Sequence, residues 1–345
     1  MKICQSRKWA AAVLGLGFTL AAADQFTTID YPGATATGTG TINDAGDIVG
    51  SYTDTGGLNH GYLLRGGKFA PIDYPGARQT WAHGINSAGD IVGQYGDGTR
   101  SYGFLLRQGV FTSLDCPGAT SVRAFAINSA GDITGDMGRA GQPAAGLLIS
   151  RGACTLTEYR PEAPSTTMTM YFGMNDAGVQ VGHWGSRGTV YAVVHNKGTF
   201  THFAHGGGSW TETTGINNAG DLVGSFRESN GANHGFLLRN GRFTTIDFPG
   251  AINTSASKIN NSGQIVGRYV DSGNRSHGYV ARVTPAGPPP PVLTVDDDGA
   301  DCPGALKTIQ EAVAQAPAGA TVLVCTGTYR GTVNIVGPEK TGLKL

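Results

Sequence analysis

Short runs of alternating apolar and polar residues, broken by glycine, asparagine, aspartate or proline, cover most of the chain. In the first copy of this pattern the runs read TGTGTIN, DIVGSYT, HGYLLR and KFAPIDY. Alternation over so few residues is typical of a β-strand with one buried face. No run before residue 284 repeats apolar residues at helical spacing over a dozen positions, so the pattern predicts an all-β structure there.

The whole pattern recurs six times, at intervals of 42 to 47 residues. Each copy contains a phrase similar to NDAGDIVGSY and supplies enough chain for four short antiparallel strands. A period of this length with four strands per copy is typical of the blades of a β-propeller. The phrases begin at Asn43, Asn86, Asn128, Asn175, Asn217 and Asn260.

The ends of the repeat region predict how the blades close into a ring. A strand of the fourth type, FTTIDYPG, precedes the first copy, and the sixth copy lacks that strand. Pairing of Phe26–Tyr31 with Tyr279–Val283 would complete the last blade and remove both free edges. We therefore expect residues 24–283 to form a six-bladed β-propeller closed by the N-terminal strand.

The repeats also resemble a named family, the extracellular HAF repeat. Its signature is similar to IN-x-x-GDIVG-x-Y followed by HGFLL and FTTIDYPGA, and four of the copies match these motifs well. The third copy lacks the His-Gly-Phe motif, and the fourth copy matches the signature least. The resemblance covers about residues 26–283 and implies an exported bacterial repeat protein. It implies no particular reaction.

Residues 1–23 predict a signal peptide. Lys2, Arg7 and Lys8 precede an apolar stretch that is short for a bilayer span, and three alanines suit cleavage before Asp24. The alternative interpretation is an uncleaved anchor. We expect a secreted, extracellular protein with no membrane contact after cleavage. The formal net charge of zero gives no reason to expect nucleic acid as a partner.

Export permits disulfides, and four of the five cysteines lie beyond the signal segment. Cys302 and Cys325 bracket one short unit and are the better pair. Cys116 and Cys154 stand at an aromatic position of two consecutive copies; they could be bridged or be small buried hydrophobes. No cysteine and histidine spacing indicates zinc.

The repeated phrase is interpreted as scaffold. Asparagine and glycine tolerate the left-handed backbone of a tight hairpin, and the glycine of Ile-Val-Gly is expected to let neighbouring blades approach. A calcium site would need oxygens that converge on one point, whereas the copies diverge around a ring. The loops between the second and third strands and those between copies vary most, so we expect a binding surface on the face they share.

Four residues without counterparts in most copies are candidates for that surface. Trp81 and Trp210 stand where other copies carry small or polar residues. They would suit stacking on a sugar ring, or they would fill gaps between blades. Arg123 and Arg187 could line the same face or be solvated parts of the scaffold.

Three histidines, His60, His234 and His277, open the third strand of copies one, five and six. They would be neighbours in a closed ring and could cluster on a metal ion. Because His-Gly-Tyr or His-Gly-Phe belongs to the repeated motif, a structural role is the favoured interpretation, and no metal is assigned.

The chain changes character after the repeats. Residues 284–292 are rich in proline and predict a stiff linker. Residues 293–345 resemble the entry cap and first coil of right-handed parallel β-helix proteins of the pectinesterase and pectate-lyase type, with TIQEAV leading to GTY. Thr308 and Glu311 have the spacing of a capping box. The catalytic residues of such proteins would lie in later coils, so none is carried over to this incomplete stub.

No serine-hydrolase, zinc-protease or phosphate-loop motif occurs, so no catalytic residue and no cofactor is assigned. The leading hypothesis is a non-catalytic propeller that binds an extracellular carbohydrate or surface protein. The alternative is an accessory domain of a polysaccharide-acting β-helix enzyme that is truncated here. A third hypothesis is a purely structural surface protein.

Overall fold

A computed structural model describes residues 25–97, 99–159, 168–186, 188–205, 209–283, 292–295, 306–309, 311 and 321–324. The chain divides into two units, Met1–Pro285 and Ala286–Leu345. The described strands of the first unit are β1 (Gln25–Ile29), β2 (Ala36–Ile42), β3 (Ile48–Thr53), β4 (Asn59–Arg65), β5 (Lys68–Ile72), β6 (Gln79–Ile85), β7 (Ile91–Gly96), β8 (Ser101–Arg107), β9 (Val110–Leu114), β10 (Ser121–Ile127), β11 (Ile133–Arg139), β12 (Gln142–Ser150), β13 (Ala153–Thr157), β14 (Met168–Met174), β15 (Gln180–Ser186), β16 (Thr189–Asn196), β17 (Thr199–Phe203), β18 (Trp210–Ile216), β19 (Leu222–Arg227), β20 (Asn233–Arg239), β21 (Arg242–Ile246), β22 (Asn253–Ile259), β23 (Gln264–Val270) and β24 (Ser276–Arg282).

Consecutive strands pair antiparallel into four-stranded sheets, the blades of an all-β propeller. Strands β2–β5, β6–β9 and β10–β13 each form one blade, and β22–β24 form another together with β1. In that last blade Phe26 lies opposite Ala281, and Thr28 lies opposite Tyr279. The N-terminal strand therefore completes the final blade, as its position before the first copy predicted.

The expectation of six separate blades is wrong at the fourth and fifth copies. Strands β14–β17 and β18–β21 belong to one eight-stranded sheet, so four blades, not six, stand as separate sheets. The physical reason is a parallel bridge between Val190 of β16 and Trp210 of β18. The backbone N–H of Val190 donates to the carbonyl of Ser209 at 2.8 Å.

The asparagine of five of the six repeated phrases, all but Asn128, joins one copy to the next among the described contacts. Asn86 Oδ1 accepts hydrogen bonds from the backbone N–H groups two and four residues later, at 3.0 and 2.9 Å. Its Nδ2 donates to the carbonyl oxygen of Asn128 in the next copy at 3.2 Å. The equivalent bond from Asn260 to Asn43 closes the ring at 3.1 Å. The phrase is scaffold, and its asparagine links copies as well as fixing its own turn.

The Asp-Tyr-Pro-Gly stretch packs an aromatic ring against the following copy. Tyr31 stacks on Tyr52 with ring centroids 3.6 Å apart, and it meets Phe69 edge-on at 5.1 Å. The apolar core is likewise shared between blades, since Val49 of the first copy packs in one cluster with Phe104 of the second. The blades are therefore held together side by side rather than each having an independent core.

A disulfide replaces that aromatic contact at the third copy. Cys116 occupies the position equivalent to Tyr31, and Cys154 occupies that of Phe69. The two cysteines are bonded, with their Cα atoms 5.8 Å apart. Of the two interpretations left open by the sequence, the bridged one is confirmed. The other predicted pair, Cys302 and Cys325, lies outside the described residues.

The glycine of Ile-Val-Gly is needed within its own blade rather than between blades. A Cβ at Gly50 would lie 2.2 Å from the carbonyl oxygen of Gly38 on the paired strand. The strand register shifts at this point, between Thr39 and Thr41, and such a bulge brings the two backbones together. A larger side chain would push β2 and β3 apart.

In the second unit, β25 (Val292–Val295) and β26 (Thr321–Val324) pair parallel. The predicted capping box is present, because Thr308 Oγ1 accepts from the Glu311 N–H at 3.1 Å and Glu311 Oε2 accepts from the Thr308 N–H at 3.2 Å. The β-helix itself stays a prediction. No described helix is long and apolar enough to cross a membrane.

The asparagine ring predicts unequal effects of substitution at equivalent positions. Asn86→Ala removes the partner of two turn N–H groups and of the next copy's carbonyl. We expect it to lower the free energy of unfolding by about 2–4 kcal/mol. Asn128 is the matched control, because no described hydrogen bond joins its side chain to Asn175. Asn128→Ala should cost clearly less in urea unfolding, and equal losses would contradict the role of the bond between copies.

Candidate functional site in the axial channel

The innermost strand of each copy turns alternate residues toward the axis of the ring. In β6, Trp81 and His83 are partly exposed while Thr80 and Ala82 are buried. All six copies contribute to one axial channel. The aligned positions differ between copies, unlike the asparagines at the end of the strands. The layer nearer the variable loops carries Gly38, Trp81, Arg123, Met170, Glu212 and Ser255, and the next layer carries Gly40, His83, Phe125, Phe172, Thr214 and Ser257.

Small residues of the first and sixth copies open a cavity of about 310 Å³ in one side of this channel. Gly38, Gly40, Ser255 and Ser257 form much of its wall. A Cβ built on Gly38 would have only Arg268 Cδ near it, at 4.0 Å, so the wall there is open space. A cavity of this size fits a small-molecule ligand such as a sugar.

Aromatic rings form an arc along the third, fourth and fifth copies. Phe125 and Phe172 meet with centroids 5.1 Å apart, and Phe172 lies 5.2 Å from the ring of His183. His183 in turn lies 5.7 Å from Trp210. His83 adjoins the other end of the arc, 5.0 Å from Phe125. The channel therefore has an aromatic side and a side of glycine and serine.

Arg123 and Asp136 form a buried ion pair beside the arc. Arg123 Nε donates to Asp136 Oδ1 at 2.9 Å, and the guanidinium lies 5.6 Å from the centre of the Phe125 ring. Burial raises the pKa of Asp136, and the Arg123 guanidinium partly offsets this effect. Arg123 is thus fully engaged within the protein.

Glu212 is also engaged. Its Oε1 accepts from Ser225 Oγ at 3.0 Å, and its Oε2 lies 3.3 Å from His183 Nδ1. Arg268 lies exposed in the same cavity wall, and no described residue forms an ion pair with it. The cavity mouth therefore has a carboxylate, Glu212, that accepts hydrogen bonds within the protein, and a guanidinium, Arg268, without an ion-pair partner among the described residues.

Lys258 lines a deeper chamber of about 150 Å³ that shares residues with the larger cavity. Burial lowers the pKa of Lys258 to about 7, against the opposing attraction of the Glu212 carboxylate. Burial, together with the nearby charges of Lys258 and Arg123, lowers the pKa of His83 to about 3. No described residue accepts a hydrogen bond from Lys258, and His83 Nε2 is buried without a partner in the described part.

The sequence candidates are only partly brought together. Trp81 and Arg123 lie on the channel side of their strands, and Trp210 ends the aromatic arc with Arg227 5.7 Å from its ring. They therefore lie on innermost strands, not on the variable loops where the sequence placed them. Arg187 lies outside the described residues.

The three histidines lie away from the axial cavity, each in its own blade. His60 Nδ1 lies 2.9 Å from Asp73 Oδ1, and its Nε2 lies 3.4 Å from Asp54 Oδ2. The two carboxylates contact different nitrogens of the imidazole, so they do not converge on one metal ion. Among described residues no three metal-ligating side chains converge. Equivalent contacts are His234 to Asp247 at 2.8 Å, His277 to Asp30 at 2.9 Å and His277 to Asp271 at 3.2 Å.

Sequence reasoning missed Lys258, Glu212 and His83. A usable signal existed in the alignment of copies, because Lys258 stands where the other copies carry Thr41, Gly84, Ala126, Gly173 and Gly215. Only the register of the innermost strands shows that this column faces the axis. The variable loops drew attention instead because loops usually carry binding residues.

Comparisons with known proteins agree with the fold. No protein-family model matches the sequence, and neither does any curated protein. The chain is similar in structure to TolB from Acinetobacter baumannii, with a TM-score of 0.51, 11% identity and coverage of 68% of this chain and 63% of TolB. This likeness supports the propeller fold alone. AofleA from Arthrobotrys oligospora has a TM-score of 0.49 at 10% identity, covering 74% of this chain and 86% of its own. The Aleuria aurantia lectin AAL, as a variant in complex with Fucα1-6GlcNAc, has a TM-score of 0.48 at 8% identity, covering 73% and 93%.

The His60 contacts predict a dependence of stability on pH. Burial alone would lower the pKa of His60, but Asp73 and Asp54 outweigh it, and the pKa is raised. A raised folded-state pKa stabilises the fold below the unfolded value of about 6.5, and this contribution disappears as pH rises through the folded value. His60→Gln should therefore destabilise the protein more at pH 5.5 than at pH 8.5 in urea unfolding. A loss that is the same at both pH values would show that the ion pairs contribute nothing.

Proposed function

We propose that the protein is an exported, non-catalytic propeller that binds an extracellular carbohydrate in its axial cavity. The observation that supports this most is the composition of the channel, where a cavity lined by glycine, serine and threonine adjoins a chamber lined by Phe125 and Phe172. Sugars present apolar faces and hydrogen-bonding edges, and such a mixed wall suits both.

An unsatisfied polar atom adds to this argument. His83 lines both the cavity and the chamber, and its Nε2 is buried without a hydrogen-bond partner in the described part of the chain. A buried polar group without a partner costs about 1–3 kcal/mol. The hydroxyl groups of a bound sugar would supply partners, so ligand binding would recover part of this cost.

Export and membership of the HAF-repeat family are part of the proposal. The first 23 residues have the order of a signal peptide, and the disulfide between Cys116 and Cys154 suits an oxidising compartment. We also infer that the eight-stranded sheet is two blades of a six-bladed ring. Each half has its own four antiparallel strands, and one bridged residue pair is described between the halves.

A glycan array probed with the mature chain tests the carbohydrate function. We expect at least one glycan class to bind, and Gly38→Leu to weaken that binding at least tenfold because leucine fills the cavity. Trp210→Ala should weaken it as well by shortening the aromatic arc. Ala70→Leu on the exposed outer strand β5 is the matched control and should bind normally. Binding to a protein array together with an empty glycan array would identify a surface protein as the ligand and contradict the proposal.

A second candidate function rests on the second unit. The parallel pairing of β25 with β26 and the capping box of Thr308 and Glu311 both fit the start of a parallel β-helix. The propeller would then be the accessory domain of a polysaccharide-acting enzyme. Sequencing of the gene beyond the codon for Leu345 should reveal a reading frame that continues the β-helix. Its absence would rule out this candidate.

A further inference from the structure

One cation in the axial channel has no structural reason to be there. Lys258 occupies a position where the other five copies fold with threonine, glycine or alanine. The repeat architecture therefore does not require its side chain. Lys258 is partly buried, and no described residue accepts a hydrogen bond from it. A partly desolvated ammonium without a partner is disfavoured, so a bound anion would stabilise it.

The carboxylates near Lys258 are already occupied. Glu212 is bound by Ser225 and lies beside His183, and Asp136 is bound by Arg123. Arg268, also from the sixth copy, has no ion-pair partner among the described residues and lines the cavity mouth. The wall contributed by the sixth copy therefore has two cations without an ion-pair partner among the described residues, and the Glu212 carboxylate attracts Lys258 from the neighbouring copy.

We propose that the axial cavity binds an acidic saccharide, and that the carboxylate of the sugar is the counter-ion of Lys258. The proposal rests on the carbohydrate function and specifies its ligand class. The sugar ring occupies the larger cavity, against its wall of glycine and serine. Its carboxylate enters the chamber of about 150 Å³, which is lined by Lys258, His83 and Thr214. Arg268 attracts the anion at the entrance.

Such a ligand couples binding to protonation of Lys258. Because its pKa is lowered to about 7, the amine is mostly charged at pH 6 and mostly neutral at pH 8.5. A carboxylate binds the charged form, so affinity should fall as pH rises through 7. The charged or titratable groups that face the channel around Lys258 are Glu212, Arg123, Asp136, Arg268, His83 and His183, together with Asp44 and Asp176 on the side of the asparagine turns. Asp44 and Asp176 accept hydrogen bonds from Asn261 and Asn218.

The experiment measures binding of uronate oligosaccharides and of neutral oligosaccharides of the same length, by glycan array and then by calorimetry at pH 6 and pH 8.5. We expect the uronates to bind at least tenfold more tightly than their neutral counterparts, and more tightly at pH 6. Lys258→Gln should remove both the preference and its pH dependence. Lys68→Gln on the exposed strand β5 is the matched control and should change neither.

A second variant protects the test against misfolding. Arg268 is exposed, so Arg268→Gln should fold normally and weaken uronate binding several-fold at low salt, with a smaller effect at high salt. Binding of neutral sugars alone would overturn the acidic-ligand proposal while supporting the carbohydrate function. Failure of every glycan to bind would overturn both. Uronate binding that survives Lys258→Gln unchanged, or acetate binding as tightly as the uronates, would also overturn the proposal.

Discussion

One side-chain amide, repeated around the axis, is the interaction on which the ring depends. The oxygen of Asn86 holds the hairpin of its own copy, and its nitrogen holds the backbone of the next copy. Because the group is buried, neither contact competes with water. At five of the six junctions between copies, the residue that fixes a turn also bonds to the next turn, and the bond from Asn260 to Asn43 joins the last copy to the first.

This constraint acts at one end of the innermost strands and leaves the other end free to vary. Near the asparagines the copies resemble one another most, since five of the six turns accept a hydrogen bond from the asparagine of the copy before them. Farther along the same strands the side chains point into the channel, where a glycine in one copy and a tryptophan in another are equally compatible with the ladder. The asymmetric cavity follows from that freedom, because the small residues come from two adjacent copies, the first and the sixth.

Much of the architecture was predictable because strand pattern and repeat period are local properties. The copy boundaries and the closing role of β1 followed from such signals, whereas a disulfide between Cys116 and Cys154 was one of two interpretations that the sequence left open. The merging of the fourth and fifth copies did not, because it depends on the tertiary contact between Val190 and Trp210. The sequence also placed Trp81 on a variable loop, whereas it lies on β6, for a similar reason. Whether Trp81 belongs to a loop or to the channel wall depends on where β6 begins, and boundaries are the least certain part of any pattern.

Repetition separates residues that the fold requires in every copy from residues that occur in one copy only. Where five copies fold with a small neutral residue, a lysine in the sixth adds a cost of desolvation and no contact that the ring needs. The same reasoning separates His60, whose carboxylate contacts recur in two other copies, from Lys258, whose environment occurs once. The desolvation of Lys258 is a cost in free energy that the scaffold does not require, and it occurs beside the unpartnered Nε2 of His83. Such departures from what the fold alone would favour are expected at a binding site.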